Sequence, residues 1–284
     1  MIYSVDFGGS TIDVISWENG EIKSRRSFER YPRYLSVMPV DFLKERKNLF
    51  KDAEKIYVTG GKSRLLAATF SGIPVNKVNE IDAIGRGGYF LLKKAMPSAG
   101  LDKIGRVLVV SMGTGTCMVE VGIGKKGYLG SEHVGGTGVG GGTFMGLCKQ
   151  LLDETSPDCL KKMFLRGDRK KVDLSVYDIV GSGIGVVPGE ATASNLAKIS
   201  RSIDFSKNDL AAGIVNLVGQ TIGILASFAA KARKCDLVLL CGKLTDMEQV
   251  TEAVLYTGKM HHVKMLVPDQ AGYVSAYGAG YNNE

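Results

Sequence analysis

Two kinds of residue in this chain could do chemistry: carboxylates at the ends of short apolar runs, and glycines gathered where a backbone must approach an anion. The densest gathering is Gly135-Gly136-Thr137-Gly138-Val139-Gly140-Gly141-Gly142-Thr143-Phe144, followed by the apolar Met145 to Leu152. Ordered glycine costs roughly 0.5–1 kcal/mol relative to alanine, so a run this rich needs a reason. A phosphate cradle supplies one, with backbone N–H groups and the positive end of the following helix aimed at an anion. No Gly-Lys-Ser/Thr closes the run, which excludes the P-loop. The competing reading, a flexible surface loop, is opposed by Thr137, Val139 and Phe144 and by the apolar helix that follows at once.

The carboxylates come earlier. Asp6 lies near the end of the run Ile2–Phe7, just before the turn Gly8-Gly9-Ser10. Glu80 and Asp82, in Asn79-Glu80-Ile81-Asp82, open a helical stretch reaching to about Lys94. On residue type alone, Glu80 and Asp82 read more readily as ordinary helix N-terminal acids, which stabilise by a few tenths to about 1 kcal/mol, than as chemistry. Ala83, Gly85, Gly87 and Gly88 are small where that helix starts, as if something packs closely on it.

The chain that must position these groups has 284 residues and 44% hydrophobic content, enough for a large core in two compact lobes. No apolar run reaches about eighteen residues, and Met1 to Asp6 reads as a strand rather than a leader. The expectation is a soluble, cytoplasmic protein without a membrane partner. Cys117, Cys148, Cys159, Cys235 and Cys241 form no C-x-x-C pair, and His133, His261 and His262 are the only histidines. Reduced thiols are expected, and neither a disulfide framework nor a zinc site. Much of the net charge of +7 comes from Lys23, Arg25, Arg26, Arg30, Arg33, Lys44, Arg46, Lys47, Lys51 and Lys55. Without a nucleic-acid module or interleaved aromatics, this reads as a solvated basic face and not a nucleic-acid site.

In order, Ile2–Phe7 and Thr11–Trp17 predict a hairpin, and Glu21–Phe28 a third strand after Asn19-Gly20. Helical spacing runs through Ser36–Leu49, a strand through Lys55–Val58, a helix through Lys62–Phe70 and a short strand through Val75–Val78. Val5-Asp6-Phe7-Gly8-Gly9-Ser10-Thr11 then recurs as Val110-Ser111-Met112-Gly113-Thr114-Gly115-Thr116, so two related lobes each open with a hairpin, Asp6 in one becoming Ser111 in the other. Pro157–Leu165, Ala191–Ile199 and Asn208–Ala232 read as helices, and Val172–Val180 as the start of a strand. Asp236–Cys241 is a buried strand whose turn, Gly242-Lys243, suits a nucleotide.

Taken together, VDFGGSTID, VTGG, NEIDAIGRGG, VSMGTGTC, VGGTGVGGGTF, GDR with VDL, ATASNLAK and GYVSAYGA resemble, in order, the type II pantothenate kinases of the acetate and sugar kinase, Hsp70 and actin superfamily. The resemblance implies an α/β protein of two ribonuclease-H-like lobes, the actin-like ATPase fold, with a nucleotide cleft between them. Residues 1–78 would form the N-terminal lobe, 79–269 the C-terminal lobe with the glycine-rich loop and a dimerisation helix, and about 270–284 would pack back on the first lobe. It implies ATP-dependent phosphorylation of the primary hydroxyl of pantothenate, the first step of coenzyme A biosynthesis, by a homodimer. Glu80 would be the general base, Asp6 would act through Mg²⁺ by way of water, and Gly8, Gly9, Ser10, Thr11, Gly138, Gly140, Gly141, Gly142 and Gly242 would face ATP. Thr114, Cys117, His133 and Asp82 would serve the acceptor side, Asp82 by orienting the base or its helix.

Three positions depart from the family pattern: Asp13 where lysine is usual, Cys117 where serine is common, and His133 where arginine would grip a carboxylate. A carboxylate beside a triphosphate calls for a metal or another basic residue to compensate. Two alternatives follow, a related small-molecule kinase with another hydroxylated acceptor, and a non-catalytic actin- or Hsp70-like ATPase. The superfamily's activators of iron–sulfur dehydratases are disfavoured by the lack of a cysteine pair.

Overall fold

The structure is a computed structural model that describes residues 1–29, 38–96, 98–101, 103–125, 127–185, 187–201 and 204–281. Arg30 and Arg33, the start of the helix expected from Ser36, and 282–284 lie outside the described residues.

The first sheet grows from β1 (Ile2–Phe7) and β2 (Thr11–Glu18), which close the expected hairpin with Val5 opposite Val14 and Asp6 opposite Asp13. Asn19 and Gly20, both at positive φ, turn the chain into β3 (Glu21–Glu29), the geometry that matches strand twist in a two-residue hairpin. After α1 (Pro39–Glu45), the strands β4 (Lys55–Thr59), β5 (Thr69–Phe70) and β6 (Ile73–Lys77) complete the order β3-β2-β1-β4-β6-β5. Next come α2 (Glu80–Ala95), α3 (Ser98–Leu101), β7 (Arg106–Met112), β8 (Thr116–Gly124) and β9 (Gly127–Thr137). Then α4 (Gly141–Leu152) and α5 (Pro157–Arg166) precede a ribbon of β10 (Leu174–Ser175) and β11 (Thr192–Ser194) with α6 (Val176–Val180) between them. The long α7 (Lys207–Arg233), β12 (Leu237–Cys241), α8 (Glu248–Met260), β13 (Met265–Leu266) and α9 (Val274–Gly280) end the described chain.

The second sheet has the order β13-β12-β7-β8-β9. Leaving out the two-residue β5, both sheets follow one plan: three antiparallel strands, then two more added in parallel on the far side of the first. The hairpin likeness in the sequence is thus part of a repeat of whole sheets.

Strand period places the layers. In β7, Val107 and Val109 enter a core shared by both sheets, whereas Leu108, Val110 and Met112 enter one covered by α4, α5, α7 and α8. In β2, Ile15 and Trp17 face the shared core, and Ile12 and Val14 face α1. Between the sheets lie α2 and α9. A Cβ on Gly87 would strike the Val274 carbonyl oxygen and one on Gly278 the Ala83 carbonyl oxygen, so these glycines let two helices touch through their backbones. Phe90 stacks on Trp17 and Tyr277, with ring centroids 5.8 and 5.1 Å away, binding α2 to a strand of the first sheet and to α9.

Four local expectations change. Gly135, Gly136 and Thr137 end β9 instead of lying in a loop, paired with Met118, Cys117 and Thr116. Lys62–Phe70 holds only a 3₁₀ turn at Ser63–Leu65 before β5, since a segment so short cannot repay helix nucleation before the positive-φ pair Ser71-Gly72. Ala191–Ile199 is β11 and turns: the buried Asp173 carboxylate accepts from the Leu196 amide at 2.8 Å, and Leu196 has φ 59°. Val172–Val180 holds only the two-residue β10 before α6, which a Ser175–Asp178 capping box starts.

Candidate active site

The same alternation that sends Ile15 and Trp17 into the shared core puts Asp13 on their side of β2, and Asp6 opposite it on β1. Two carboxylates directly across an antiparallel pair repel each other. Asp13 is buried, with Thr11 Oγ1 donating to it at 3.3 Å, and the cation that answers it is Lys243, whose Nζ lies 3.2 Å from Asp13 Oδ1. Lys243 follows β12 in the second sheet, so the pair crosses from one sheet to the other. Gly242, at φ 91°, makes that crossing, and a Cβ there would lie 2.5 Å from the Met112 carbonyl oxygen.

The two repeated hairpin turns also meet. Ser10 Oγ and Thr114 Oγ1 are 2.9 Å apart, and Gly9 leaves no room for a side chain against Thr114. On one side of this meeting point lies a cavity of about 390 Å³ lined by Asp6, Gly8, Gly9, Ser10, Thr11 and Lys243, with an apolar end of Phe144, Met145, Pro157, Leu244 and Met247. That end suits a flat, apolar-faced base and the polar end a phosphate chain. On the other side lies a cavity of about 320 Å³ with Glu80, Ile84, Thr116, Cys117 and Thr137 in its wall. Asp6, Gly8, Gly9, Ser111, Gly113, Thr114 and Ser275 border both. A group handed from one cavity to the other would pass these residues.

Glu80 stands in the first turn of α2, where Asn79 Oδ1 caps the helix by accepting from the Ile81 amide at 2.8 Å. Burial first, then the charges of Asp13 and Glu80, pushes the Asp6 carboxyl up to about 8 against hydrogen bonding with Ser275 and the Lys243 cation. A carboxyl raised by burial and by neighbouring like charges ionises when a cation arrives beside it, and Asp6, at the border of both cavities, is placed to take Mg²⁺. Among the described residues no group of three or more histidine, cysteine or acidic side chains is gathered to hold a metal; phosphate oxygens and water would complete the shell of an ion resting on Asp6.

Of the residues named from the sequence, Asp6, Gly8, Gly9, Ser10, Thr11, Gly141 and Gly242 border the larger cavity, and Glu80, Thr114 and Cys117 the smaller. Burial, then the Glu80 charge, pushes the Cys117 thiol up and keeps it protonated. Gly138, Gly140 and Gly142 border neither cavity. The Gly141 and Gly142 amides, expected to face phosphate, instead donate to the Gly113 and Thr114 carbonyls at 2.8 Å each. The glycines let α4 start against the Gly113–Gly115 turn, where a Cβ on Gly140 would lie 2.7 Å from Gly115 Cα. Asp82 accepts from Ser131 Oγ at 3.3 Å, tying α2 to β9, and His133 is exposed on β9 outside both cavities. Sequence reasoning passed over Ser275, whose stretch it read only as helix packing, and saw Lys243 only as part of a turn suited to a nucleotide.

Solved structures place this architecture. The crystal structure of a ROK family glucokinase from Streptomyces griseus in complex with glucose and AMPPNP superposes with a TM-score of 0.59 at 14% identity, covering 98% of this chain and 97% of that one. The activator of the 2-hydroxyisocaproyl-CoA dehydratase from Clostridium difficile with bound ADPNP gives 0.59 and 14%, covering 98% and 92%. This chain shares with both its two-lobed α/β fold, built on two sheets of one plan. The type II pantothenate kinase of Oceanobacillus iheyensis is 28% identical over 278 residues, 97% of each chain. The Fumble family model matches residues 16–282, and the chain belongs to that family, the family of the type II pantothenate kinases.

Proposed function

We propose that this chain transfers the γ-phosphoryl group of ATP to the primary hydroxyl of pantothenate, opening coenzyme A biosynthesis as a cytoplasmic homodimer. The observation that carries the reading is the position of Glu80: it borders the smaller cavity, and that cavity meets the nucleotide-sized one at Asp6, Gly8, Gly9 and Thr114. The named activity of the Oceanobacillus iheyensis relative supports the acceptor.

The hydroxyl oxygen attacks the γ-phosphorus as its proton passes to the Glu80 carboxylate, and ADP leaves toward the larger cavity. Asp6 would hold Mg²⁺, which supplies charge neutralisation on the phosphate oxygens. Phe144, Met145 and Met247 would exclude water around the base, and Thr114, at the border, would orient the group in transfer. The glycine turns Gly8-Gly9 and Gly113 keep that border narrow. The dimer would use α7 and α8, where Leu225, Phe228 and Tyr256 are exposed.

Positioned general bases are worth about 10² to 10⁴ in rate. Glu80→Ala is therefore expected to lower kcat on pantothenate by that range, followed by ADP release, while AMPPNP affinity is kept. Turnover within threefold of the parent would remove Glu80 from the chemistry. A second reading has its own observation: the described residues lining the smaller cavity include two carboxylates and no cation, which suits a neutral alcohol. A panel of acceptors at equal concentration separates the two, since turnover on an uncharged alcohol and none on millimolar pantothenate would reassign the substrate.

A further inference from the structure

We infer that Lys243 is the phosphate-contacting cation of the nucleotide cavity, and that Asp13 and Tyr273 are there to aim it. This rests on the reading of the larger cavity as a nucleotide site. Among the described residues lining that cavity, Lys243 is the only cation, set against Asp6, Asp13 and Asp246. A polyphosphate entering so acidic a pocket needs a positive charge, and this one is built into place.

Three neighbours hold it. A Cβ on Gly272 would lie 3.1 Å from Lys243 Cδ, so the lysine stem runs along bare backbone. The ammonium sits 3.8 Å from the centroid of the Tyr273 ring, a cation–π contact. Asp13 Oδ1 lies 3.2 Å away, an ion pair that engages one of the ammonium's three N–H donors and leaves the others for another anion. The side chain remains one quarter exposed, whereas Asp13 is 4% exposed. Asp13 comes from the first sheet, Lys243 and Tyr273 from the stretches that bracket the last strand of the second, so the cation is fixed only when the two sheets stand as they do here.

The alternative is that Lys243 serves only to neutralise buried Asp13. The two separate in a double variant. Calorimetric titration of the full chain with Mg-AMPPNP and, separately, with adenosine would compare the parent, Lys243→Met and Asp13→Asn/Lys243→Met, with thermal melts to confirm folding. A lost charge-assisted contact weakens binding by roughly 10- to 100-fold. Both variants are expected to lose that much for Mg-AMPPNP and nothing for adenosine, and the double variant to regain the melting temperature that Lys243→Met alone forfeits. Parent-like Mg-AMPPNP affinity in the double variant, or equal losses for adenosine, would overturn the inference. Because the readout is binding, a parent that binds Mg-AMPPNP without turning over pantothenate would sink the acceptor assignment and leave this test standing.

Discussion

At the scale of single residues, the site is a matter of which charges are left facing one another. Asp13, Cys117 and His133 stand where the resemblance leads one to expect lysine, serine and arginine, and each has a different consequence in space. Asp13 is answered across the cleft by Lys243. Cys117 stays in the wall of the smaller cavity as a protonated thiol, a weaker hydrogen-bond donor than a hydroxyl. His133 stands exposed on β9, four residues before Thr137, which does reach that cavity. The resemblance puts this position on the acceptor side, and from outside the cavity wall a long, planar, two-pronged cation would grip a carboxylate better than an imidazole. His133→Arg is then expected to lower the KM for pantothenate several-fold with kcat unchanged, the mark of binding that is uniform through the reaction. Steady-state kinetics would decide it, and an unchanged KM would move carboxylate recognition to other residues. The need for compensation at Asp13 was legible from its own position. The compensating residue was not, because no local pattern joins a hairpin near the start of the chain to a turn near its end.

Among the elements, α2 and α9 do the positioning. Glu80 sits at the start of α2 and Ser275 in the first turn of α9, and the two helices touch through Gly87 and Gly278. The small residues at both places announced close packing from the sequence alone, though not that they pack on each other. Gly278→Ala would drive a methyl group into the Ala83 carbonyl, which is backbone and has no rotamer to escape by. Overpacking of this kind typically costs about 1–3 kcal/mol, here with an added shift of the helix that carries Glu80. The expected result is a melting temperature lowered by several degrees and a kcat reduced more than the KM is raised. A variant with parent-like stability and turnover would mean that the helices part without disturbing the site. The glycine-rich run gives the opposite lesson. Its composition announced close approach correctly, but the partner of Gly141 and Gly142 is the neighbouring hairpin turn, and a ligand and a backbone demand the same absence of side chains.

For the molecule as a whole, the repeat of two sheets explains why so much was readable: each lobe needs a hairpin, a parallel addition and covering helices, and each leaves its periodicity in the chain. What periodicity could not divide was the work of α7. It is 27 residues long and apolar enough to cross a membrane by composition, yet most of its apolar window is buried inside this chain against α4, α5 and α8. Its hydrophobicity is therefore spent mainly on its own lobe, and the proposed dimer would use what α7 and the neighbouring α8 leave outside: Leu225 at 39%, Phe228 at 55% and, on α8, Tyr256 at 46% exposed, with His261 stacked edge-on to Phe228 at 5.3 Å. Exposed aromatics of this kind are where interface energy concentrates. Phe228→Glu/Tyr256→Glu introduces four like charges across a two-fold contact while touching little of the core, so light scattering should give the mass of two chains for the parent and of one for the variant. None of Leu225, Phe228 and Tyr256 borders either cavity, and Mg-AMPPNP affinity is expected to survive in the separated subunit. A parent that already has the mass of one chain would remove the dimer, and loss of nucleotide binding on separation would mean that a second copy supports the cleft.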